Sequence, residues 1–385
     1  MARDLTAHER HLVTTIEVLA EDLAANIDDI LKNPAASARW RAVVRCRNPV
    51  SEIEFSYLNS MILCRAMRLQ GYSSPLWATY HQWQEALGLK RPVRRGQKCT
   101  RALNPKDRGA GHRRRSGLTG DEQYDAVQDF VSEEYFNAEQ LVAPTNYSTA
   151  YPVVDAQPYL DLVVKATDAR IEHYGSEAFF SNGDDKITLP RPDQFLDSNN
   201  TSATVQYYST LLHELIHWTG HHSRMGRRQL GEKRDKKSPE YAFEELVAEF
   251  GASQLGVDLE LSTFIRQDHV KYLAGYAACL RSDPMNLLRA VGKARQAISY
   301  LNSCIGVSVV REMLGVRNCY DINEVTAALE ERLPTGLNVL GSLKDQKQLK
   351  EDPNDHSKLL TGDKWKPRFE DYPFGAYLTA CVDKS

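Results

Sequence analysis

The chain has 385 residues, of which 26% are charged and 42% hydrophobic, with a net charge of -3; such a composition is ordinary for a globular protein with room for two domains and an appendage. Seven scattered cysteines without a CxxC pair argue against a disulfide framework and against a cysteine zinc site. The N-terminus is charged and amphipathic rather than an apolar signal region, and no run reaches membrane-helix length, so the cytoplasm is the default location.

In chain order, Leu12, Ile16, Leu19, Leu23, Ile27 and Leu31 recur at helical spacing and predict one helix over residues 7–33. A second helix is expected over 54–69, ahead of the turn Gly71-Tyr72-Ser73-Ser74-Pro75. Thr79 is placed to cap a short helix ended by Gly88. Residues 93–98 read as a turn into a strand, 103–123 as a loop, and 126–136 as a further strand. Asn137-Ala138-Glu139-Gln140 then closes the unit, and 144–152 form a linker. The next region is expected to open with a helix over 158–173. Strand-like segments follow at 178–180 and 186–190, with Ile187-Thr188-Leu189 read as an edge to which an extended peptide could add. Two further helices flank a basic polar loop over 223–237, and helices over 263–280 and 284–301 complete the region. Beyond it only 322–332 reads as a helix, and no internal repeat is visible. The expected fold is α+β: an α+β domain over 1–145, a mostly helical domain over 153–303, and an extension over 304–385 without an assigned role.

The most informative stretch is His213-Glu214-Leu215-Ile216-His217. Residues four apart share a helix face, so His213 and His217 can offer two imidazole nitrogens to one metal. Glu214 is then placed as the general base that activates water. The flank of Leu211, Leu212, Leu215, Ile216 and Trp218 buries one side of this helix. A catalytic zinc needs a third protein ligand. The extended pattern HExxHxxGxxH fails, because Gly220 is in register but Ser223 stands where its third histidine would be. The helix around 241–252 offers Glu244, Glu245 and Glu249 instead. Glu245 is the preferred ligand, with Glu249 orienting a ligating histidine. Glu249 as ligand is the alternative, and Glu244 ranks last. Ala248 and Ala252 are small enough to allow close approach to the histidine helix.

Between residues 90 and 115 stand eleven Lys or Arg residues and one acid, Asp107. Tyr72, Trp77, Tyr80 and Trp83 lie just upstream. Cations that track phosphates beside rings on which bases stack suit single-stranded nucleic acid. Tyr72, Trp77, Tyr80, Arg94, Arg95 and Lys98 are the candidate DNA contacts.

Several segments, in order, resemble the ArdC-like antirestriction proteins of conjugative plasmids and related mobile elements. In the N-terminal half these are Asn48-Pro49-Val50, Tyr57-Leu58-Asn59, the run from Gly71 to Tyr80, Gln82-Trp83, Val93-Arg94-Arg95-Gly96-Gln97-Lys98 and Phe136-Asn137-Ala138-Glu139-Gln140. Further on they are Asp185-Lys186-Ile187-Thr188-Leu189-Pro190, the run from Leu212 to His221, Arg224, the run from Tyr241 to Glu249, and the run from Lys293 to Leu301. The resemblance implies a single-stranded-DNA-binding N-terminal domain and a zincin-like metallopeptidase domain that together protect incoming DNA from restriction. It departs over residues 35–44, where Trp40 alone stands for a Pro- and Trp-rich opening, in a longer basic loop over 101–124, and beyond 303. Two rival functions are a DNA-binding protein whose zinc site is structural or vestigial, and a metallopeptidase that removes a host regulator.

Overall fold

The computed structural model describes residues 6–32, 46–105, 130–147, 156–175, 177–192, 195, 202–227, 238–259, 270–333 and 338–362. Among these, the N-terminal elements are α1 (Ala7–Lys32), β1 (Arg47–Asn48), β2 (Ile53–Glu54), α2 (Tyr57–Gln70), β3 (Trp77–Ala78), α3 (Tyr80–Leu87), β4 (Thr100–Pro105) and β5 (Phe130–Asn137). There follow α4 (Ala156–Thr167), β6 (Arg170–His173), β7 (Phe179–Ser181), β8 (Lys186–Leu189), α5 (Ala203–Thr219), α6 (Pro239–Asp258), α7 (Val270–Ser282) and α8 (Asn286–Leu314). The last elements are β9 (Cys319–Asp321), α9 (Ile322–Arg332), α10 (Val339–Asp345), β10 (Leu349–Asp352) and β11 (Asp355–Thr361). The fold is α+β, as expected, and no described helix is long and apolar enough to cross a membrane. The chain divides into two units, Met1–Gln157 with Ala169–Ile298, and Pro158–Asp168 with Ser299–Ser385.

In the first unit, Leu12, Ile16, Leu19 and Ile27 are buried along α1, the face that the helical spacing marked. Strands β3, β5 and β4 form an antiparallel sheet in that order. Local sequence explains α3 closely. Thr79 accepts from the Gln82 amide while the Gln82 side chain accepts from the Thr79 amide, a reciprocal cap that satisfies two otherwise orphaned donors. Gly88 ends the helix at φ 63, in the left-handed region where glycine carries no Cβ penalty. Several of the motif residues tie these elements together. Asn59 on α2 accepts from the Leu103 amide of β4 and donates to Asn104. Asn48 donates to Gln82, and the Trp83 indole donates to the Phe136 carbonyl.

Three expectations for the following region are corrected. The helix expected over 158–173 stops at Thr167. Asp168 turns left-handed at φ 52, and Arg170–His173 pairs in parallel with β8 as β6. Consequently Ile187-Thr188-Leu189 is not an edge: β8 is the middle strand, with β6 on one side and antiparallel β7 on the other. Its backbone groups are already committed to two neighbours, and among the described residues the outer strands of this sheet are β6 and β7. Helix α8 also runs past residue 301 to Leu314.

In the second unit, β10, β11 and β9 form an antiparallel sheet in that order. Tyr320, Val325, Leu329, Val339, Leu343, Leu349 and Leu359 are buried there. Gly306 on α8 meets Val339 and Leu343 of α10 so closely that a Cβ would lie 2.7 Å from Val339 Cγ1. The residues beyond 303 thus include a small α+β unit, of which α9 alone was expected from the sequence.

Candidate metal centre

Helix α5 starts where Ser202 accepts from the Val205 amide, and from Leu211 to Thr219 every side chain is buried. Helix α6 starts where Ser238 accepts from the Tyr241 amide, with Pro239 just inside the helix. The two helices approach closely because Gly251 faces Ile216; a Cβ at Gly251 would fall 2.8 Å from two Ile216 side-chain carbons. The end of α5 is held by Arg224. Its guanidinium lies 3.9 Å from the Trp218 ring centroid, donates to the Trp218 carbonyl at 2.6 Å, and pairs with Asp185 in the turn between β7 and β8. That pairing holds the Asp185 carboxyl below the usual carboxylate range, with the Arg224 hydrogen bonds the largest cause.

These contacts bring His213, His217 and Glu245 together. His213 Nε2 lies 3.1 Å from His217 Nε2 and 3.4 Å from Glu245 Oε2, and His217 Nε2 lies 3.5 Å from Glu245 Oε1. All three residues are buried. Metal–ligand distances of about 2.0–2.2 Å at tetrahedral angles place ligand atoms roughly 3.3–3.5 Å apart, and the three separations are close to that, with His213 facing one Glu245 oxygen and His217 the other. Among the described residues it is the one group of three His, Cys, Asp or Glu side chains close enough to hold an ion. Two imidazoles and a carboxylate suit a divalent cation of zinc type.

The three glutamates have distinct surroundings. Glu249 Oε1 lies 3.7 Å from His213 Nδ1, on the side of that ring away from the donor triangle. Glu244 Oε1 lies 3.2 Å from His217 Nδ1. Glu244 also forms a buried ion pair with Arg227, whose Nε and terminal nitrogen approach it at 3.0 and 2.7 Å. The Tyr276 hydroxyl on α7 donates to Glu245 Oε2 at 3.3 Å. Burial acts to lower the His217 pKa, but the charges of Glu245 and Glu244 outweigh it and lift it to about 9. Burial acts to raise the Glu245 carboxyl, and the two histidines override it and hold it well below 4.5. A bound cation would take the place of the proton that these carboxylates draw to the site. Glu214 is buried beside His213 on α5. His221 points elsewhere, its Nδ1 2.8 Å from Ser223 Oγ and 3.7 Å from Asp185.

The candidate DNA residues separate by exposure. Trp77 is corrected: it is 0% exposed, packed with Cys46, Leu63, Met67 and Tyr135, and has no ring face on which a base could stack. Arg94 donates through both terminal nitrogens to the carbonyls of Leu141 and Glu139, so its guanidinium braces the fold. Arg95 and Lys98, like Arg94, are exposed. Tyr72 and Tyr80 are half-buried, and their hydroxyls reach the basic segment, at Gln97 Oε1 (3.2 Å) and the Lys90 carbonyl (3.4 Å). The rest of the charge run, from Lys106 to Arg115, lies outside the described residues.

Sequence reasoning missed Arg227, Tyr276 and the contact of Glu244 with His217 Nδ1. The signal for the last was present: neighbours on a helix point about 100° apart, so Glu244 and Glu245 cannot face the same atom. Arg227 and Tyr276 reach the site through tertiary contacts that no spacing announces.

Residues 158–293 match the family model of a zincin-like metallopeptidase, and residues 17–132 match that of the N-terminal domain of anti-restriction factor ArdC. The chain is 28% identical over 267 residues to the uncharacterized protein y4eC of Sinorhizobium fredii (strain NBRC 101917 / NGR234), covering 66% of this chain and 80% of y4eC. It is 30% identical over 262 residues to a DNA primase TraC of Escherichia coli, covering 65% of this chain but only 23% of that relative. Among solved structures, the antirestriction ArdC protein from the R388 plasmid, Mn(II)-bound and metal-free, matches with a TM-score of 0.51 at 25% identity, covering 74% of this chain and 97% of that one. With both its N-terminal and its metallopeptidase-like regions matched in order, the chain is ArdC-like over residues 17–293.

Proposed function

We propose that the chain holds one zinc ion through His213, His217 and Glu245, hydrolyses a peptide bond there, and binds single-stranded DNA through its N-terminal region, in protecting incoming mobile-element DNA from restriction. The observation that carries the reading is the buried cluster of two imidazole nitrogens and a carboxylate, 3.1 Å between the nitrogens and 3.4 and 3.5 Å from them to the two carboxylate oxygens. The R388 relative was solved with Mn(II). Two imidazoles in a three-ligand set favour zinc, which also binds such donors more tightly than manganese.

When bound, zinc supplies a Lewis acid that makes water nucleophilic at neutral pH and polarises the scissile carbonyl. His213 and His217, one turn apart on α5, fix two donor positions on a rigid helix, and Glu245 closes the set from α6. Glu214 takes the proton from the attacking water and returns it to the departing amine. The burial of these side chains keeps bulk water away from the proton's path. For DNA, Arg95 and Lys98 are exposed cations of the basic turn, and Tyr72 and Tyr80 are the rings that remain to meet bases.

The test is Glu214→Gln in a restriction-protection assay, with zinc content and single-strand affinity measured on the same protein. The expected result is lost protection with metal and DNA binding retained. Full protection by that variant would overturn hydrolysis as the mechanism and leave a DNA-binding protein with a structural metal.

A further inference from the structure

We infer that Glu244 and Arg227 are a positioning pair for His217, setting which ring nitrogen carries the proton and where the imidazole points; the inference rests on the metal reading above. A ligating imidazole must present a lone pair to the metal, so its proton must sit on the other nitrogen. His217 directs Nε2 into the donor triangle, 3.1 Å from His213 Nε2 and 3.5 Å from Glu245 Oε1. Its Nδ1 lies 3.2 Å from Glu244 Oε1. An Nδ1–H donated to that carboxylate leaves Nε2 free for the metal and makes it more basic.

A lone buried carboxylate could swing away from the imidazole it accepts from. Arg227 prevents this. Its Nε approaches the two Glu244 oxygens at 3.2 and 3.0 Å, and a terminal nitrogen approaches Oε1 at 2.7 Å. The other Arg227 donors reach the Ile216 carbonyl at 2.6 Å and Thr219 Oγ1 at 2.8 Å. The chain of contacts therefore leaves His217, passes through Glu244 and Arg227, and returns to residues flanking His217 on α5. Such a closed loop fixes the imidazole relative to its own helix. Both oxygens of Glu244 are occupied in it, so Glu244 serves the site without being a ligand.

The competing explanation is that the ion pair only holds α5 against α6. Zinc affinity of the full chain, measured by competition with a chromophoric chelator, separates the two when paired with thermal unfolding of the metal-free proteins. Glu244→Gln should weaken zinc about 10–100-fold, the usual effect of losing the carboxylate behind a ligating histidine. The double variant Glu244→Leu/Arg227→Met replaces a buried ion pair with apolar groups, which commonly preserves or restores stability. Its metal-free stability should match the wild type while zinc affinity stays 10–100-fold down. This double variant also decides the matter should Glu244→Gln fail to fold. Wild-type zinc affinity in either variant would overturn the positioning role. His217→Ala separates the two levels: loss of zinc there with unchanged affinity in the Glu244 variants retires only the pair. Undiminished zinc binding in His217→Ala would retire the metal reading and this inference with it.

Discussion

Glu244, Glu245 and Glu249 stand within two turns of α6, yet each meets a different group: His217 Nδ1 with Arg227, the two Nε2 atoms with Tyr276, and His213 Nδ1. These surroundings set a ranking. Glu245→Ala should abolish zinc binding, because two ligands are too few anchors. Glu249→Ala should weaken it about 10–100-fold, as expected for a group behind a ligand. Chelator competition on both variants checks this, and the reverse order would move the ligand role to Glu249. The pairing of His213 with His217 was legible because helical spacing is local information. The choice among the glutamates was only partly so, since it depends on how α6 is rotated against α5. Asp185 offers a pH test at the same scale. Its carboxyl is held below 3.8 mainly by hydrogen bonds from Arg224. A depressed folded-state pKa gives stability that is present above the unfolded value and lost as pH falls through the folded one. Asp185→Asn should therefore destabilise the chain at pH 7, and the gap from wild type should shrink as pH drops below about 3.8. Urea unfolding at several pH values measures it; a gap independent of pH would remove the ion pair as its cause.

Helix α3 shows how far local signals reach: Thr79, Gln82 and Gly88 alone mark its start and stop, and the structure follows them. Expected and observed bounds of α9 agree in the same way, with Asp321 accepting from the Asn323 amide at its start. The failure at residues 158–173 has the opposite origin. Arg170-Ile171-Glu172-His173 continues a helical pattern, but its partner β8 lies 16 positions away in sequence, at Lys186–Leu189. Parallel pairing across such a gap leaves no local mark, and with β6 unseen, β8 was mistaken for an edge. Close packing of α5 on α6 gives a further prediction. Alanine normally stabilises a helix interior relative to glycine by up to about 1 kcal/mol, but here the added carbon would meet two buried Ile216 carbons at 2.8 Å. Overpacking costs about 1–3 kcal/mol and should win for the larger Gly251→Val. Chemical denaturation should show that loss together with weaker zinc binding. Unchanged stability would mean the two helices can separate without cost.

Across the whole molecule, the N-terminal elements and the helices of the candidate metal centre belong to one unit. Arg281 on α7 pairs with Glu21 and Asp28 of α1, and Tyr57 of α2 lies 6.4 Å ring to ring from Phe250 of α6. The order of the regions was legible in the sequence, but not these contacts, which join residues more than 190 positions apart. For DNA, Arg95→Ala/Lys98→Ala should weaken single-strand binding and flatten its salt dependence by roughly 0.7 per lost phosphate contact. Single strands should bind better than duplex, since a duplex hides the base faces that rings can stack on. Equal affinity for both forms and no effect of the double variant would assign the basic turn to solvent. Elemental analysis of the purified chain tests the metal centre most directly. The wild type should carry about one zinc per chain, as one three-ligand site implies, and His217→Ala should carry almost none. A wild type without zinc, or a His217→Ala protein with full occupancy, would contradict the site.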